Sequence, residues 1–270
     1  MNRRTFLKNA GIAGGLMAMP SLWSCNASGE KFDFPLTDLH VHLTRDFTID
    51  HLMELSEKRG VRFGVVEHPA DWAIKDDADL KAYINKLRQY PVYVGLQPMT
   101  PNWTKRFSPD LLKSLDYILM DPQTIPLGRG RFQRIYELSC YVEDTDEFMR
   151  RYMDYTISVL ENEPLNIFGW PLFLPVCIAR DYYKLWTQER MQKIISAAKA
   201  SNIAIEINDM SHTPHKEFIL MCKEQGLKFT FGSDSRNMNA GRLAYCKRVA
   251  NECGLAKEDF YVPGKGDVVV

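Results

Sequence analysis

Four short stretches of this 270-residue chain end apolar runs in residues that can bind a metal ion or move a proton. "TDLHVHL" (37–43) carries His40 and His42, and "VVEHP" (65–69) carries Glu67 and His68. "AIEIN" (204–208) carries Glu206 and Asn208, and "FGSDSRN" (231–237) carries Asp234 and Arg236. Strand side chains alternate, so residues two apart share a face. His40 and His42 are then neighbours, and so are the members of the last two pairs. Imidazole is the commonest metal donor, and two at this spacing can hold one ion without bending the backbone. Core packing would place Val or Ile at such strand ends. Four strands finishing in His, Glu, Asn or Asp point instead to the pocket of a metal-assisted hydrolase. Asp234, after a Gly-Ser turn, is the best carboxylate ligand. Glu206 lies mid-strand and also reads as an interior carboxylate paired with Lys228 or Arg62, and Asn208 as a loop anchor.

These residues need a scaffold that brings strand ends together. Short apolar runs predict strands at 36–43, 61–68, 92–97, 117–120, 166–170, 204–208 and 228–234. Helical spacing separates them: Ile49, Leu52 and Met53 before a stop at Gly60, and Met191, Ile194, Ile195 and Ala198 after Thr187 as cap. Ser108-Pro109 predicts a helix start, because proline fits the first turn. Asp144 with Glu147 predicts a capped helix reaching about residue 161. Alternating strands and helices imply parallel strands, several apolar on both faces. Seven of them predict an α/β fold, a distorted seven-stranded (β/α)7 TIM-like barrel, with an open doubly wound sheet as the alternative. In such a barrel, chemistry gathers at the C-terminal ends of the strands. No Gly-rich phosphate fingerprint follows any strand, which argues against a nucleotide-binding fold. "GRGRF" (128–132) reads as a solvated basic turn. The apolar run 165–179 holds two prolines and is too short to span a bilayer.

The first 24 residues read as an address. Arg3-Arg4 precedes a mild apolar run, a pattern that resembles the twin-arginine (Tat) export signal. "LWSC" (22–25) resembles a lipobox, with Cys25 lipidated as the mature N-terminus; an uncleaved anchor is the alternative. The expected organisation is a signal at 1–24, a linker at 25–35 and one barrel domain at 36–270. The expected location is periplasmic or cell-surface, with membrane contact only through a lipid on Cys25. Without Arg3, Arg4 and Lys8, the 34 Lys and Arg fall to 31 against 34 Asp and Glu. That balance gives no electrostatic case for nucleic acid as a partner and leaves a small-molecule substrate. Five cysteines remain after Cys25, with no CxxC spacing, and read as buried apolar residues.

"DLHVHL", "RGVRFGVVEH", "AIEIN" and "GLKFTFGSDSRN", in this order, resemble the PHP (polymerase and histidinol phosphatase) family over residues 36 to 262. The resemblance implies a seven-stranded barrel with up to three metals, usually zinc, manganese or iron, and hydrolysis of phosphate esters. On the family's pattern His40, His42 and Asp234 are metal ligands. His68 matches a further histidine ligand, with Glu67 in place of the usual aspartate. Gln97 stands where the family has a bridging carboxylate, Trp170 where it has a histidine, and Arg236 where it has another ligand. The histidine after the fourth strand is missing, and Asp121 is the nearest polar residue.

This reduced set favours one divalent ion, of Zn, Mn or Fe, over a two-metal clamp. Gln97 and water would complete its shell, Glu67 or His68 would be general base or acid, and Arg236 would grip an anionic group. Trp170 would offer a stacking face, or simply fill the core, and Asn208 would line the substrate site. The substrate would be a small phosphoester or a carbohydrate-derived ester or lactone. The alternatives are a non-catalytic ligand-binding barrel and a structural lipoprotein.

Overall fold

A computed structural model describes residues 32–264, 267 and 268; the expected export signal, Cys25 and most of the expected linker lie outside the described residues. Seven short strands, β1 (Thr37–Val41), β2 (Arg62–Val65), β3 (Tyr93–Leu96), β4 (Tyr117–Met120), β7 (Ile167–Phe168), β8 (Ala204–Asn208) and β9 (Phe229–Gly232), pair in that order. All six neighbouring pairs are parallel. A bridge between Val41 and Ser235 joins the two ends, where the His42 N–H donates to the Ser235 carbonyl at 3.0 Å. The result is the expected nearly closed barrel. Helices flank it: α1 (Ile49–Arg59), α2 (Asp77–Leu87), α3 (Pro109–Leu112), α4 (Thr145–Asn162), α5 (Tyr182–Leu185), α6 (Gln188–Ala200), α7 (Lys216–Glu224) and α8 (Ala244–Glu252).

The cap residues act as their chemistry predicts. Gly60 ends α1 with a left-handed φ of 64°, a conformation that needs no Cβ. Asp144 Oδ1 accepts from the Glu147 N–H, and Thr187 Oγ1 accepts from the Arg190 N–H. The Ser108-Pro109 start yields only the single turn of α3. Strand β7 keeps just two of its five expected residues, because Trp170 turns to φ 47°. "GRGRF" is exposed and turns at Arg129-Gly130, as expected, but it belongs to a larger element. It is the tip of an antiparallel hairpin, β5 (Thr124–Gly128) with β6 (Arg131–Arg134), and Gly128, Arg129 and Gly130 all take positive φ there. The cysteine reading holds for Cys222, Cys246 and Cys253, while Cys140 is half-buried and Cys177 exposed. Among the described residues, no helix is long and apolar enough to cross a membrane.

The core has two layers. The outer one packs strand residues such as Phe63, Ile118 and Ile205 against Leu52, Leu80 and Ile194 of the helices. The inner one fills the barrel below the site with Leu39, Val66, Tyr93, Tyr117, Leu119 and Ile167. Tyr117 is fully buried, and its hydroxyl donates to the Leu39 carbonyl at 2.7 Å. Gly64 and Gly95 on the adjacent strands make room for it: a Cβ would fall 2.5 Å from its hydroxyl oxygen at Gly64 and 2.7 Å from its ring at Gly95. A cleft of about 780 Å³ lies at the N-terminal ends of the strands, beside Asn166 and Ile203, and holds none of the candidate ligands.

Candidate metal centre

Strand ends place the polar residues on one mouth. His40 lies near the end of β1 and His42 just after it, Glu67 and His68 follow β2, Gln97 follows β3 and Asp121 follows β4. Glu206 and Asn208 end β8, and Asp234 lies two residues beyond β9. A register irregularity in β1 between Asp38 and Val41 re-aims the chain there, so that Leu39 joins the inner core while His40 turns to Glu206. Asp38 holds this corner. Its Oδ1 accepts from the Ser233 N–H at 2.9 Å and its Oδ2 from the Gly241 N–H at 2.8 Å, tying β1 to the segment that carries Asp234.

His40, His42 and Asp234 are buried and face one another. Asp234 Oδ1 lies 3.4 Å from His40 Nε2 and 3.3 Å from His42 Nε2. Neither Nε2 has a hydrogen-bond partner, although buried ring nitrogens normally have one. Three converging donors with two orphaned nitrogens could hold a metal ion. Asp234 reaches this place through a left-handed backbone at φ 46°, a conformation aspartate tolerates better than bulkier residues.

Glu206 orders the site from below. Its Oε1 accepts from His40 Nδ1 at 2.7 Å, and its Oε2 accepts from the Trp170 N–H at 2.7 Å and Asn208 Nδ2 at 3.1 Å. Its expected partners, Lys228 and Arg62, are elsewhere: Lys228 donates to the Glu258 carbonyl and Arg62 stacks on Tyr93. This is the carboxylate–histidine pairing that fixes a ligand's tautomer and leaves Nε2 for a metal.

Charge and burial set the protonation states. Burial pulls the His40 imidazole down, but the charges of Glu206 and Asp234 outweigh it and raise its pKa to about 9. Burial lowers His42 to about 3. Asp234 is pushed up by burial, yet the cations around it hold its carboxyl below the usual range. Asp234 is therefore held ionised beside two cations, His40 and the closer Arg236, and an ion at His40 Nε2 would take the place of that ring's proton.

The remaining expected residues divide. His68 and Glu67 do not join the first cluster but form a second one with His42. His68 Nδ1 donates to the Gln97 carbonyl at 2.9 Å, leaving Nε2 free, and burial lowers its pKa to about 4. Burial raises Glu67, whose Oε1 accepts from the His68 N–H. Gln97 does not turn its amide nitrogen to the metal cluster; Nε2 donates to Asp121 Oδ2 at 2.8 Å, and its Oε1 is buried without a partner. Trp170 is buried, as the core-filling alternative expects, and its ring meets that of Phe173 at 68°. Asn208 is consumed internally: Nδ2 goes to Glu206, and Oδ1 accepts from the Met210 N–H and from Ser211. Arg236 turns back to bond Asp234 at 2.6 Å rather than reaching outward. Asp121 is a residue whose role the family pattern left unassigned. It is buried, and burial raises its pKa to about 7 against the lowering by His40 and Gln97.

No family model matches the chain, and no curated protein matches it.

Proposed function

We propose that this barrel is a metal-dependent hydrolase of the PHP type, acting on a small phosphoester or a carbohydrate-derived ester or lactone. The observation that carries this reading is the buried convergence of His40 Nε2, His42 Nε2 and Asp234 Oδ1, with neither nitrogen engaged in a hydrogen bond. His40, His42 and Asp234 would hold one divalent ion of Zn, Mn or Fe. When bound, such an ion supplies a water of lowered pKa and polarises the scissile bond. Glu206 holds the His40 ring with Nε2 toward the site. Glu67, whose affinity for a proton burial raises, is the base that takes a proton at Oε2. His68, kept neutral, offers Nε2 as an acceptor in the same corner. Asp121, whose pKa burial raises to about 7 and which accepts from Gln97 Nε2, is the carboxyl nearest the role of acid. The export signal and the lipid on Cys25 belong to the same proposal, and the mass of the mature N-terminus tests them.

Elemental analysis of the purified protein is the deciding measurement. We expect close to one ion per chain, lost in the His40→Ala/His42→Ala double variant; a metal-free native protein would overturn the reading. A second reading, a ligand-binding barrel without turnover, is favoured by the commitment of the Gln97 amide to Asp121 and of Arg236 to Asp234. Stoichiometric metal with no hydrolysis across phosphoesters and sugar lactones would select it.

A further inference from the structure

Arg236 and the candidate metal compete for one oxygen. Arg236 Nη1 lies 2.6 Å from Asp234 Oδ1 and 3.1 Å from the Asp234 carbonyl oxygen. The same Oδ1 is the atom that faces both histidine nitrogens at 3.3–3.4 Å. A cation seated between those nitrogens and Oδ1 would need electron density the guanidinium already engages, and would feel a fixed positive charge beside it. Among the described residues, Asp234 is the sole hydrogen-bond and ion-pair partner of Arg236. Its side chain is 45% exposed, so it can swing toward solvent without opening the core. The opposite wall is fixed, because His40 is clamped by Glu206.

We propose that Arg236 is the site's built-in counter-cation: it neutralises Asp234 until a metal ion displaces it, and its freed guanidinium then holds an oxyanion at the mouth. This rests on the metal reading above and adds to it a substrate class, an anion of phosphate, sulfate or carboxylate type. A planar fork of donors suits such groups. Because one residue serves both events, metal and oxyanion binding strengthen each other reciprocally.

The test is calorimetric titration of metal-free, full-length protein with Zn²⁺, native against Arg236→Gln, with sulfate or with chloride at matched ionic strength. In chloride, Arg236→Gln should bind zinc roughly tenfold more tightly than native, and Arg236→Lys should fall between them. Sulfate should tighten zinc about fivefold in native protein and leave Arg236→Gln unchanged. Zinc affinity that is unchanged or weaker in Arg236→Gln, or an equal sulfate effect in both proteins, overturns this inference alone. Failure of both proteins to bind zinc overturns it together with the hydrolase reading.

Discussion

Glu206 Oε1 and His40 Nδ1 meet at 2.7 Å across 166 residues of sequence, both fully buried. One carboxylate thereby fixes a candidate ligand, the backbone of Trp170 and the side chain of Asn208. Glu206→Gln keeps the shape and removes the charge. Metal affinity should fall roughly 10- to 100-fold, as when an outer-shell partner of a ligating histidine is lost. Glu206→Ala leaves three buried donors unpaired and should cost about 3 kcal/mol or more of unfolding free energy. Zinc titration and urea unfolding read the two effects separately; full zinc affinity in Glu206→Gln would remove Glu206 from the site.

Gly232 exists to admit that carboxylate. A Cβ there would stand 1.9 Å from Glu206 Oε1 and 2.8 Å from His40 Cβ, although its backbone conformation is ordinary. Gly232→Ala must move Glu206 off His40. It should lower metal affinity in the same direction as Glu206→Gln and destabilise the protein by about 1–3 kcal/mol. A fully stable variant with native zinc affinity would show that the strand yields instead.

How much of this the sequence made legible follows the range of the interactions. The strands at 117–120 and 204–208 match residue for residue, because each is a short run buried at every position. The caps at Gly60, Asp144 and Thr187 are local chemistry and read directly. His40, His42 and Asp234 were visible as strand-end residues before any geometry. Their partners were not. The sequence pattern pairs Glu206 with Lys228 or Arg62, while its true partner lies two strands away, past β9 and across the seam that joins the two ends of the barrel. The β5–β6 hairpin hid behind arginines at its tip, which read as solvated loop although Thr124 and Ile125 beneath them are buried.

His68 makes the metal-free protein sensitive to acid. Burial lowers its pKa from the ordinary 6.5 to about 4, with the Gln97 carbonyl opposing and the Arg236 charge assisting. The unfolded chain therefore binds a proton below pH 6.5 that the folded state refuses until about pH 4. Stability from this group is complete above pH 6.5 and is lost as pH falls through that window, on the order of 3 kcal/mol in all. His68→Gln should flatten the difference: between pH 7 and 4 it should lose less unfolding free energy than native protein by about that amount. Parallel curves would show that His68 protonates without cost.

Tyr117 and Gly95 form the other long-range agreement, in the inner core beneath the site. Tyr117→Phe leaves the buried Leu39 carbonyl short of a donor and should cost about 1–2 kcal/mol. Gly95→Ala drives a methyl group to 2.7 Å from the ring, with further ring atoms at 2.8 and 2.9 Å, and should cost about 1–3 kcal/mol. The two positions share one volume, so the combination Gly95→Ala/Tyr117→Leu should be less destabilised than the sum of its parts by at least about 1 kcal/mol. Urea unfolding of the four proteins measures that coupling. Strict additivity would mean that the ring, and not the absent Cβ, has room to move.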